Sequence, residues 1–524
     1  MVTEFPVFER DGGVESAFFR IPFLLLTDSG TLIAGSDANR GTTGDSADNI
    51  DVVIRRKPHA RRHPAQSGWG APFVPPALDL DDYSPKPGYQ QASSSVIDGA
   101  IVQAARGRII LLVDLFAWNG GVFEFSHINS HLQSEGGRAR EIVPGHGFAM
   151  VEGRWMWLLA SSNVKGSADG ALDNINLNIE RTKFDHVADV WGPKDAAGRS
   201  IIYALDGVPE GYGEKFSPVD DSHLRRGARS GFTLGADFEL FEDGEQVTTL
   251  QKGEGAAGCI PMRVYYEDSP LQPYNTSYIL QVVSDDDGVT WAAEQIISPQ
   301  VAPENTAHFI LGPGAGMRVS QGRYSGRLMV PVYYREVGAS KNYCAVIYSD
   351  DSGSTWNLGG AIVAEQSLTE ACVVEAPGGA VQIFARNTGA SGGRVVSAWS
   401  TTGGETWGNV HSALGDTDPG VNCQVSALTF EAGGETYCAL ATATHVTRDH
   451  GVIFVGRWER SSDGQMKVRW LAEETVTRDK FAYSSMAHLG EGRIGILYET
   501  SPTPLWSDGL RAMFYQEVVV APGA

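Results

Sequence analysis

An octapeptide of the pattern Ser-x-Asp-x-Gly-x-Thr-Trp occurs three times in this chain of 524 residues. The copies begin at Ser284, Ser349 and Ser400, at intervals of 65 and 51 residues, and the third has Thr402 in place of the aspartate. One match can arise by chance, but three copies indicate a repeated structural unit. The architecture is therefore predicted to be repetitive.

The residue types of the octapeptide predict a turn between two strands. Ser and Asp side chains accept hydrogen bonds from nearby backbone N–H groups, Gly permits a positive φ, and Trp offers a large apolar body to bury. An apolar, β-rich run precedes each copy, as in residues 278–283. Each octapeptide should then join two strands of a small sheet, and successive sheets of this kind form a β-propeller. We interpret the octapeptides as folding devices without chemistry of their own.

Composition favours an all-β protein. The chain contains 62 Gly, 25 Pro and 10% aromatic residues, while long runs with apolar residues at helical spacing are scarce. The stretch from about Ser126 to Gly258 has no octapeptide but contains its own apolar strands. We therefore expect one large propeller formed by residues 1–125 and 259–524, with a mostly β domain inserted at about 126–258.

Charge and motif content exclude several classes of function. The formal net charge of −22 argues against nucleic-acid and anionic membrane partners. No apolar stretch approaches the roughly 18 residues that a bilayer crossing needs. The sequence shows no metal-ligand spacing and no phosphate-binding glycine motif, so no metal or cofactor is predicted.

Cysteines, basic residues and the first residues give weaker indications. The five cysteines are odd in number and lack CxxC spacing, which favours buried free thiols. The basic run that starts at Arg55, Arg56 and Lys57 is interpreted as a solvated face. Residues 1–6 lack a secretory signal pattern, so we expect a cytoplasmic protein or a secreted mature form, and the sequence leaves the compartment open.

Five segments resemble one enzyme family. They are FRIP at 19–22, GTLIAG at 30–35, NIDVVIRR at 49–56, FAYSS at 481–485 and IGILYE at 494–499. With the octapeptides, known there as Asp boxes, they closely resemble the exo-α-sialidases of glycoside hydrolase family 33, and nearly the whole chain participates. The resemblance implies a sialidase-like six-bladed β-propeller. It also implies a retaining exo-α-sialidase that releases terminal α-linked sialic acids from glycoproteins, glycolipids and oligosaccharides through a covalent tyrosyl intermediate.

Three arginines of that family hold the carboxylate of sialic acid. The resemblance assigns this role to Arg20 in the FRIP segment, to Arg386 at the end of a strand, and to Arg448. Guanidinium suits the task because it stays charged and offers planar, paired donors to a carboxylate. An acidic protein can still bind an anionic sugar in this way, because distant charges are screened over about 8 Å at physiological salt.

The catalytic residues also follow from the resemblance. Tyr483 matches the nucleophile and Glu370 the base that takes its proton, with Glu375 as an alternative base. Asp45 matches the acid that protonates the leaving oxygen, although Asp48 or Asp51 can be mistaken for it because this sequence has one extra residue between Asp45 and Arg55.

Four further residues are expected in the substrate pocket. Arg40 resembles a family arginine near the ring hydroxyls, and Asp114, Tyr333 and Gln424 lie at predicted strand ends where the family's pockets accept the N-acetyl and glycerol arms. These three are equally compatible with satisfied polar groups in the core.

The sequence leaves three functional hypotheses open. The first is hydrolysis to free sialic acid, and the second is an intramolecular trans-sialidase or lyase-type outcome with an anhydro or didehydro product. The third is a non-catalytic glycan-binding propeller, because a fold does not imply an activity. Linkage preference and the role of the insertion are not set by these motifs.

Overall fold

A computed structural model describes most of the chain. The described residues are 4–9, 18–39, 50–63, 65–79, 95–116, 147–151, 154–158, 195–205, 227–235, 239–250, 259–263, 266, 277–303, 306–336, 339–388, 393–460, 466–501 and 512–520. Eight sheets form within these ranges. Short strands joined by turns dominate, so the all-β prediction is confirmed.

Six of the eight sheets follow one another along the chain, and we number them as sheets 1 to 6. Sheet 1 contains β2 (Phe18–Leu26), β3 (Leu32–Asn39) and β4 (Ile50–Lys57). Sheet 2 contains β5 (Ser95–Ala105), β6 (Arg108–Phe116), β15 (Ser277–Ser284), β16 (Ala292–Ile296) and β18 (Gly314–Ala315). Sheet 3 contains β17 (Thr306–Leu311), β19 (Met317–Arg318), β20 (Leu328–Glu336), β21 (Tyr343–Ser349) and β22 (Asn357–Leu358). A single-turn helix, α1 (Ser298–Val301), connects sheets 2 and 3.

Sheets 4 to 6 have a simpler order. Sheet 4 contains β23 (Leu368–Glu375), β24 (Val381–Asn387), β25 (Val396–Ser400) and β26 (His411–Ser412). Sheet 5 contains β27 (Ser426–Ala432), β28 (Glu435–His445), β29 (Asp449–Arg460) and β30 (Met466–Lys480). Sheet 6 contains β31 (Ser484–Gly490), β32 (Arg493–Thr500), β33 (Ala512–Val519) and β1 (Phe5–Phe8). β1 pairs with β33, so strands from both ends of the chain share sheet 6. These six sheets support the prediction of six blades, which stays a prediction.

The three octapeptides lie where the sequence predicts them, between consecutive strands of sheets 2, 3 and 4. In the second copy, Ser349 Oγ accepts the N–H of Gly353 at 2.8 Å, and Asp351 Oδ1 accepts the N–H of Thr355 at 2.9 Å. Gly353 has a φ of +87°, which glycine adopts at low cost. Trp356 is 1% exposed and anchors the turn in the core.

The third octapeptide keeps this turn without its aspartate. Ser400 Oγ accepts the N–H of Gly404 at 2.8 Å, and the hydroxyl of Thr402 accepts the N–H of Thr406 at 2.9 Å. A threonine hydroxyl therefore substitutes for the carboxylate as the acceptor of the backbone donor.

An inserted unit interrupts sheet 2 between β6 and β15. Its strands are β7 (Gly147–Val151), β8 (Arg154–Leu158), β9 (Ser200–Leu205), β10 (Gly227–Leu234), β11 (Leu240–Glu242) and β12 (Glu245–Gln246) in one sheet, and β13 (Thr248–Leu250) with β14 (Cys259–Pro261) in another. Buried residues of the unit, including Phe232 and Leu240, pack in one cluster with Tyr278 and Trp291 of sheet 2. Because β13 pairs with β14 across residue 258, the domain bounds given above stay a prediction.

The position of Lys57 contradicts the prediction of a solvated basic face. The basic run around it was predicted to be solvated, but Lys57 is 0% exposed, and its ammonium donates to the carbonyl of Ala65 at 3.2 Å. The ammonium lies 5.6 Å from the ring centre of Trp69 and 5.5 Å from that of Tyr515 in sheet 6. The carboxylate of Glu517 in sheet 6 lies 3.8 Å from the ammonium. An anion, two aromatic faces and a carbonyl therefore replace water around this cation, which joins sheet 1 to sheet 6.

Other expectations concern cysteines and membranes. Cys344, Cys372, Cys423 and Cys438 are buried free thiols, as predicted, whereas the side chain of Cys259 is not among those described. No helix in the described part of the chain has the length and apolar character that a bilayer crossing requires.

Candidate active site

A phenol and a carboxylate from different sheets form the centre of the candidate site. Tyr483, directly before β31, donates its hydroxyl hydrogen to Oε1 of Glu370 in β23 at 2.5 Å. The pairing of β23 with β24 is irregular between Thr369 and Ala371, and such a bulge re-aims the side chain of the residue between them. Tyr483 is 5% exposed and Glu370 9%. Glu370 can therefore accept the proton of the phenol directly.

Arg386, near the end of β24, contacts both members of this pair. Its Nη1 donates to Oε2 of Glu370 at 2.6 Å and to the Tyr483 oxygen at 3.1 Å. Burial disfavours the charged guanidinium, but Glu370 and Tyr483 outweigh this effect and raise the pKa of Arg386 above its ordinary value. The guanidinium thus stays charged and can stabilise negative charge on the pair.

Arg20 approaches the same tyrosine from β2. Its Nε donates to Oε1 of Glu499 at 3.1 Å, and its guanidinium carbon lies 5.7 Å from the ring centre of Tyr483. The Arg20 and Glu499 side chains are 7% and 1% exposed. The backbone N–H of Glu499 also donates to the carbonyl of Tyr483 at 2.8 Å. Glu499 therefore holds both the arginine and the tyrosine backbone.

The backbone beside Arg20 is strained. Ile21 has a φ of +55°, which is rare for a β-branched residue, and the pairing of β2 with β3 is irregular between Arg20 and Phe23. Ser36 Oγ donates to the Arg20 carbonyl at 2.7 Å and fixes this local geometry. Strain of this kind persists only where surrounding contacts stabilise it. Here it accompanies the reorientation of Arg20.

Arg448 is connected to Arg386 through Asn422. Arg448 lies in the turn between β28 and β29, and its Nη2 donates to the Asn422 carbonyl at 3.0 Å. The side-chain oxygen of Asn422 accepts Nε of Arg386 at 2.6 Å. One loop residue therefore connects two of the three predicted arginines.

Tyr333 and Asp114 are buried beside this centre. Burial raises the pKa of Tyr333 well above its ordinary value, and the neighbouring acids Asp98 and Glu370 raise it further. Asp114 is 0% exposed, and its Oδ2 accepts the N–H of Leu311 at 3.0 Å. Burial and Asp98 raise the pKa of Asp114 well above its ordinary value. Tyr333 thus lies among the acids of the site, while Asp114 connects sheets 2 and 3.

Gln424 contacts the backbone next to the tyrosine. Its Nε2 donates to the Ser484 carbonyl at 3.2 Å, and its Oε1 accepts the Ser484 N–H at 3.1 Å. A weaker bond of 3.4 Å reaches the Pro313 carbonyl. Gln424 is 2% exposed. These contacts are those of a core amide that positions the start of β31, and a ligand-binding role for Gln424 stays a prediction.

The alternative base lies elsewhere. Glu375 is at the opposite end of β23 from Glu370, and its carboxylate accepts the N–H and hydroxyl of Ser320 at 2.8 and 2.6 Å and the N–H of Gln321 at 2.8 Å. This carboxylate stabilises a turn. The geometry favours Glu370 as the proton acceptor.

The proposed acid falls in a part of the chain that is not described. Asp45, its alternative Asp48 and the further pocket residue Arg40 lie outside the described residues, so their assignments stay predictions. Asp51, the other alternative, is 0% exposed within β4. In the described ranges, no group of three or more His, Cys, Asp or Glu side chains is arranged to hold a metal ion.

Two residues of the site were missed by sequence reasoning. Glu499 was visible as the last residue of a recognised segment, and an acid at a strand end can pair with a buried arginine. Asn422 gave no comparable signal, because it is an exposed loop residue in an irregular stretch. Its importance follows from its two arginine contacts alone.

Comparisons with known proteins agree with the fold. Residues 261–496 match the BNR repeat-like domain family. The chain is 25% identical to the anhydrosialidase of Macrobdella decora over 94% of its length, and 23% identical to sialidase B of Streptococcus pneumoniae over 94%. It spans only 59% and 63% of those two relatives.

One solved structure matches nearly the whole of this chain with nearly the whole of its own. The intramolecular trans-sialidase of Ruminococcus gnavus, solved in complex with oseltamivir carboxylate, superposes with a TM-score of 0.69 at 24% identity, over 98% of both chains. This likeness shows the fold. Together with the sheets described above, it identifies a sialidase-type β-propeller fold. The relatives and solved structures that this chain resembles are named sialidases and trans-sialidases, and the likeness is to sialidases of the glycoside hydrolase family 33 type.

Proposed function

We propose that the protein is a retaining exo-α-sialidase that hydrolyses terminal α-linked sialic acids from sialylated glycans through a covalent tyrosyl intermediate. The observation that carries this proposal is the hydrogen bond of 2.5 Å from Tyr483 to Glu370, with Arg386 bonded to both. A phenol needs a neighbouring base to act as a nucleophile, because its ordinary pKa is near 10.

The proposed substrate explains why a tyrosine suits this role. The anomeric carbon of sialic acid carries its own carboxylate, so an anionic nucleophile would approach it against repulsion. A neutral phenol that loses its proton during attack avoids much of that cost. Arg20, Arg386 and Arg448 would bind the substrate carboxylate, and the planar donors of guanidinium match its two oxygens.

Two displacements complete the proposed reaction. In the first, the Tyr483 oxygen bonds to the anomeric carbon while its proton passes to Glu370, the bond to the leaving oxygen breaks, and the predicted acid Asp45 protonates that oxygen. In the second, Asp45 takes a proton from water, whose oxygen attacks the anomeric carbon. The bond to Tyr483 then breaks, and the phenolate regains its proton from Glu370.

A second candidate differs only in the second step. One of two relatives that align with 94% of this chain is named an anhydrosialidase, which supports an intramolecular trans-sialidase reaction here. A hydroxyl of the bound sugar would then replace water and give an anhydro product. Both candidates use the same covalent intermediate.

The inserted unit is proposed to influence the choice of aglycon. It leaves sheet 2 after Phe116 and rejoins it at Ser277, within the same sheet that carries Asp114. Because Phe232 and Leu240 pack against sheet 2, removing the whole unit would expose apolar surface. Substitutions of its exposed residues are the better test, with rates compared on α2,3- and α2,6-linked substrates.

Product analysis tests the proposed function. The protein should release the phenol from an aryl sialoside, and NMR of the products distinguishes free sialic acid from anhydro and didehydro sugars. A sialoside with fluorine beside the anomeric carbon and a good leaving group should trap an adduct on the peptide that holds Tyr483. Asp45→Ala should still form this adduct but cut natural sialosides about 10² to 10⁴ times more slowly. Mass spectrometry that places the sugar on another residue would refute the mechanism.

A further inference from the structure

We propose that an ion pair between Asp449 and Lys480, here called the clip, positions Arg448 for the substrate carboxylate. Asp449 and Lys480 would then be positioning residues for substrate binding, although neither belongs to the group of side chains around Tyr483. This inference rests on the proposed function, because it assumes that Arg448 binds a carboxylate.

The turn that carries Arg448 has an unusual backbone. It joins β28, which ends at His445, to β29, which begins at Asp449. Arg448 has a φ of +53°, and its N–H donates to the His445 carbonyl at 2.8 Å. A non-glycine residue in this region needs surrounding contacts to stabilise it. The direction of the Arg448 side chain therefore depends on what holds the turn.

Asp449 collects the donors of this turn. Its carboxylate accepts Nδ1 of His445 at 2.6 Å and the hydroxyl of Thr447 at 2.7 Å, and it lies 3.6 Å from Nζ of Lys480. Burial opposes ionisation, but the bonds from Thr447 and His445 and the charge of Lys480 together outweigh it and lower the pKa of Asp449 below its ordinary value. The carboxylate is thus charged and fixes both ends of the turn.

Lys480 connects the turn to the strand that leads to the nucleophile. Its ammonium donates to the Thr447 carbonyl at 3.0 Å, and its side chain is only 11% exposed. The next residue, Phe481, donates its N–H to the Arg448 carbonyl at 3.0 Å. Thr447 and Asp449, on either side of Arg448, therefore both contact Lys480. The Arg448 carbonyl is bonded to the next residue of that strand end, Phe481.

Tyr483 depends less on the clip than Arg448 does. The Tyr483 carbonyl accepts the N–H of Glu499, and the following residue, Ser484, is held by Gln424. Loss of the clip should then displace Arg448 more than the nucleophile. An interaction equally strong in the ground and transition states affects KM rather than kcat, so the clip should be visible mainly in KM.

Kinetics of Lys480→Met tests the clip. We expect KM for an aryl sialoside to rise about tenfold, with kcat changed by less than about threefold. Calorimetry should show a similar loss of affinity for a 2,3-didehydro sialic acid, which also carries the carboxylate. Lys467→Met is the matched control, because Lys467 is an exposed lysine at the other end of β30. It should leave KM and affinity unchanged.

A double-mutant comparison separates positioning from general damage. In an Arg448→Ala background, Lys480→Met should have almost no further effect on KM, because groups that act through one another are not additive. Asp449→Asn provides a second variant should Lys480→Met fail to fold. Additive effects, or wild-type KM and affinity in both clip variants, would overturn the proposal. A wild-type protein that neither binds nor cleaves sialosides would overturn the proposed function as well.

Discussion

Two arginine–glutamate pairs lie beside Tyr483, and they differ in what else the glutamate contacts. Glu370 receives the tyrosine hydroxyl on one oxygen and Arg386 on the other. Glu499 receives Arg20, is 1% exposed, and donates its backbone N–H to the Tyr483 carbonyl. The same two residue types thus produce a pair that can exchange a proton with the tyrosine and a pair that fixes an arginine. Geometry, rather than residue type, separates the two roles.

Among the variants that test this comparison, Glu370→Gln should lose the most activity. The amide keeps the shape of the side chain but cannot take the phenol's proton, so kcat for a natural sialoside should fall by about 10² to 10⁴. Steady-state kinetics measures the change, and thermal unfolding checks that the variant is folded. A kcat within a few-fold of wild type would remove Glu370 from the mechanism.

Arg20→Ala should cost less but still abolish most activity. Removing one arginine from a desolvated carboxylate site should cost about 2 to 5 kcal/mol in kcat/KM. Arg108→Ala is the matched control, because Arg108 pairs with Glu294 away from the site, at 2.8 Å. Near-normal kcat/KM in the Arg20 variant would contradict its assignment.

Glu499→Gln should have a smaller effect of a different kind. Arg20 would keep a hydrogen-bond acceptor but lose a charged one, at a cost of about 1.5 to 3 kcal/mol. We expect most of this cost as a higher KM and a lower melting temperature, with kcat changed little. If kcat fell as far as in Glu370→Gln, the proposed difference between the two glutamates would be wrong.

Glu375→Gln should leave the kinetics unchanged. Its carboxylate accepts three hydrogen bonds from Ser320 and Gln321, at the end of β23 away from Tyr483. The variant should lose about 1 kcal/mol of unfolding free energy, measured by denaturant titration. A large fall in kcat would revive Glu375 as the base.

Sequence reasoning was most successful where the residues that interact lie within a recognised motif. The octapeptides predicted the turns because their own side chains form the hydrogen bonds, and the segments around Arg20, Glu370 and Tyr483 named residues that do come together. Glu499 and Asn422 were missed because their roles depend on partners 479 and 36 residues away. Lys57 was misjudged because its aromatic neighbours Trp69 and Tyr515 come from other parts of the chain.

The pairing of β1 with β33 has a consequence for how the chain acquires activity. A nascent chain holds Arg20 early but has neither Tyr483 nor Glu499 until sheet 6 is synthesised. Contacts of such long sequence separation form late and slowly, because the intervening chain must first be ordered. Enzymatic activity should then return on refolding only together with protection of residues 5–8 from hydrogen exchange. Measuring turnover would therefore also report whether β1 has paired with β33.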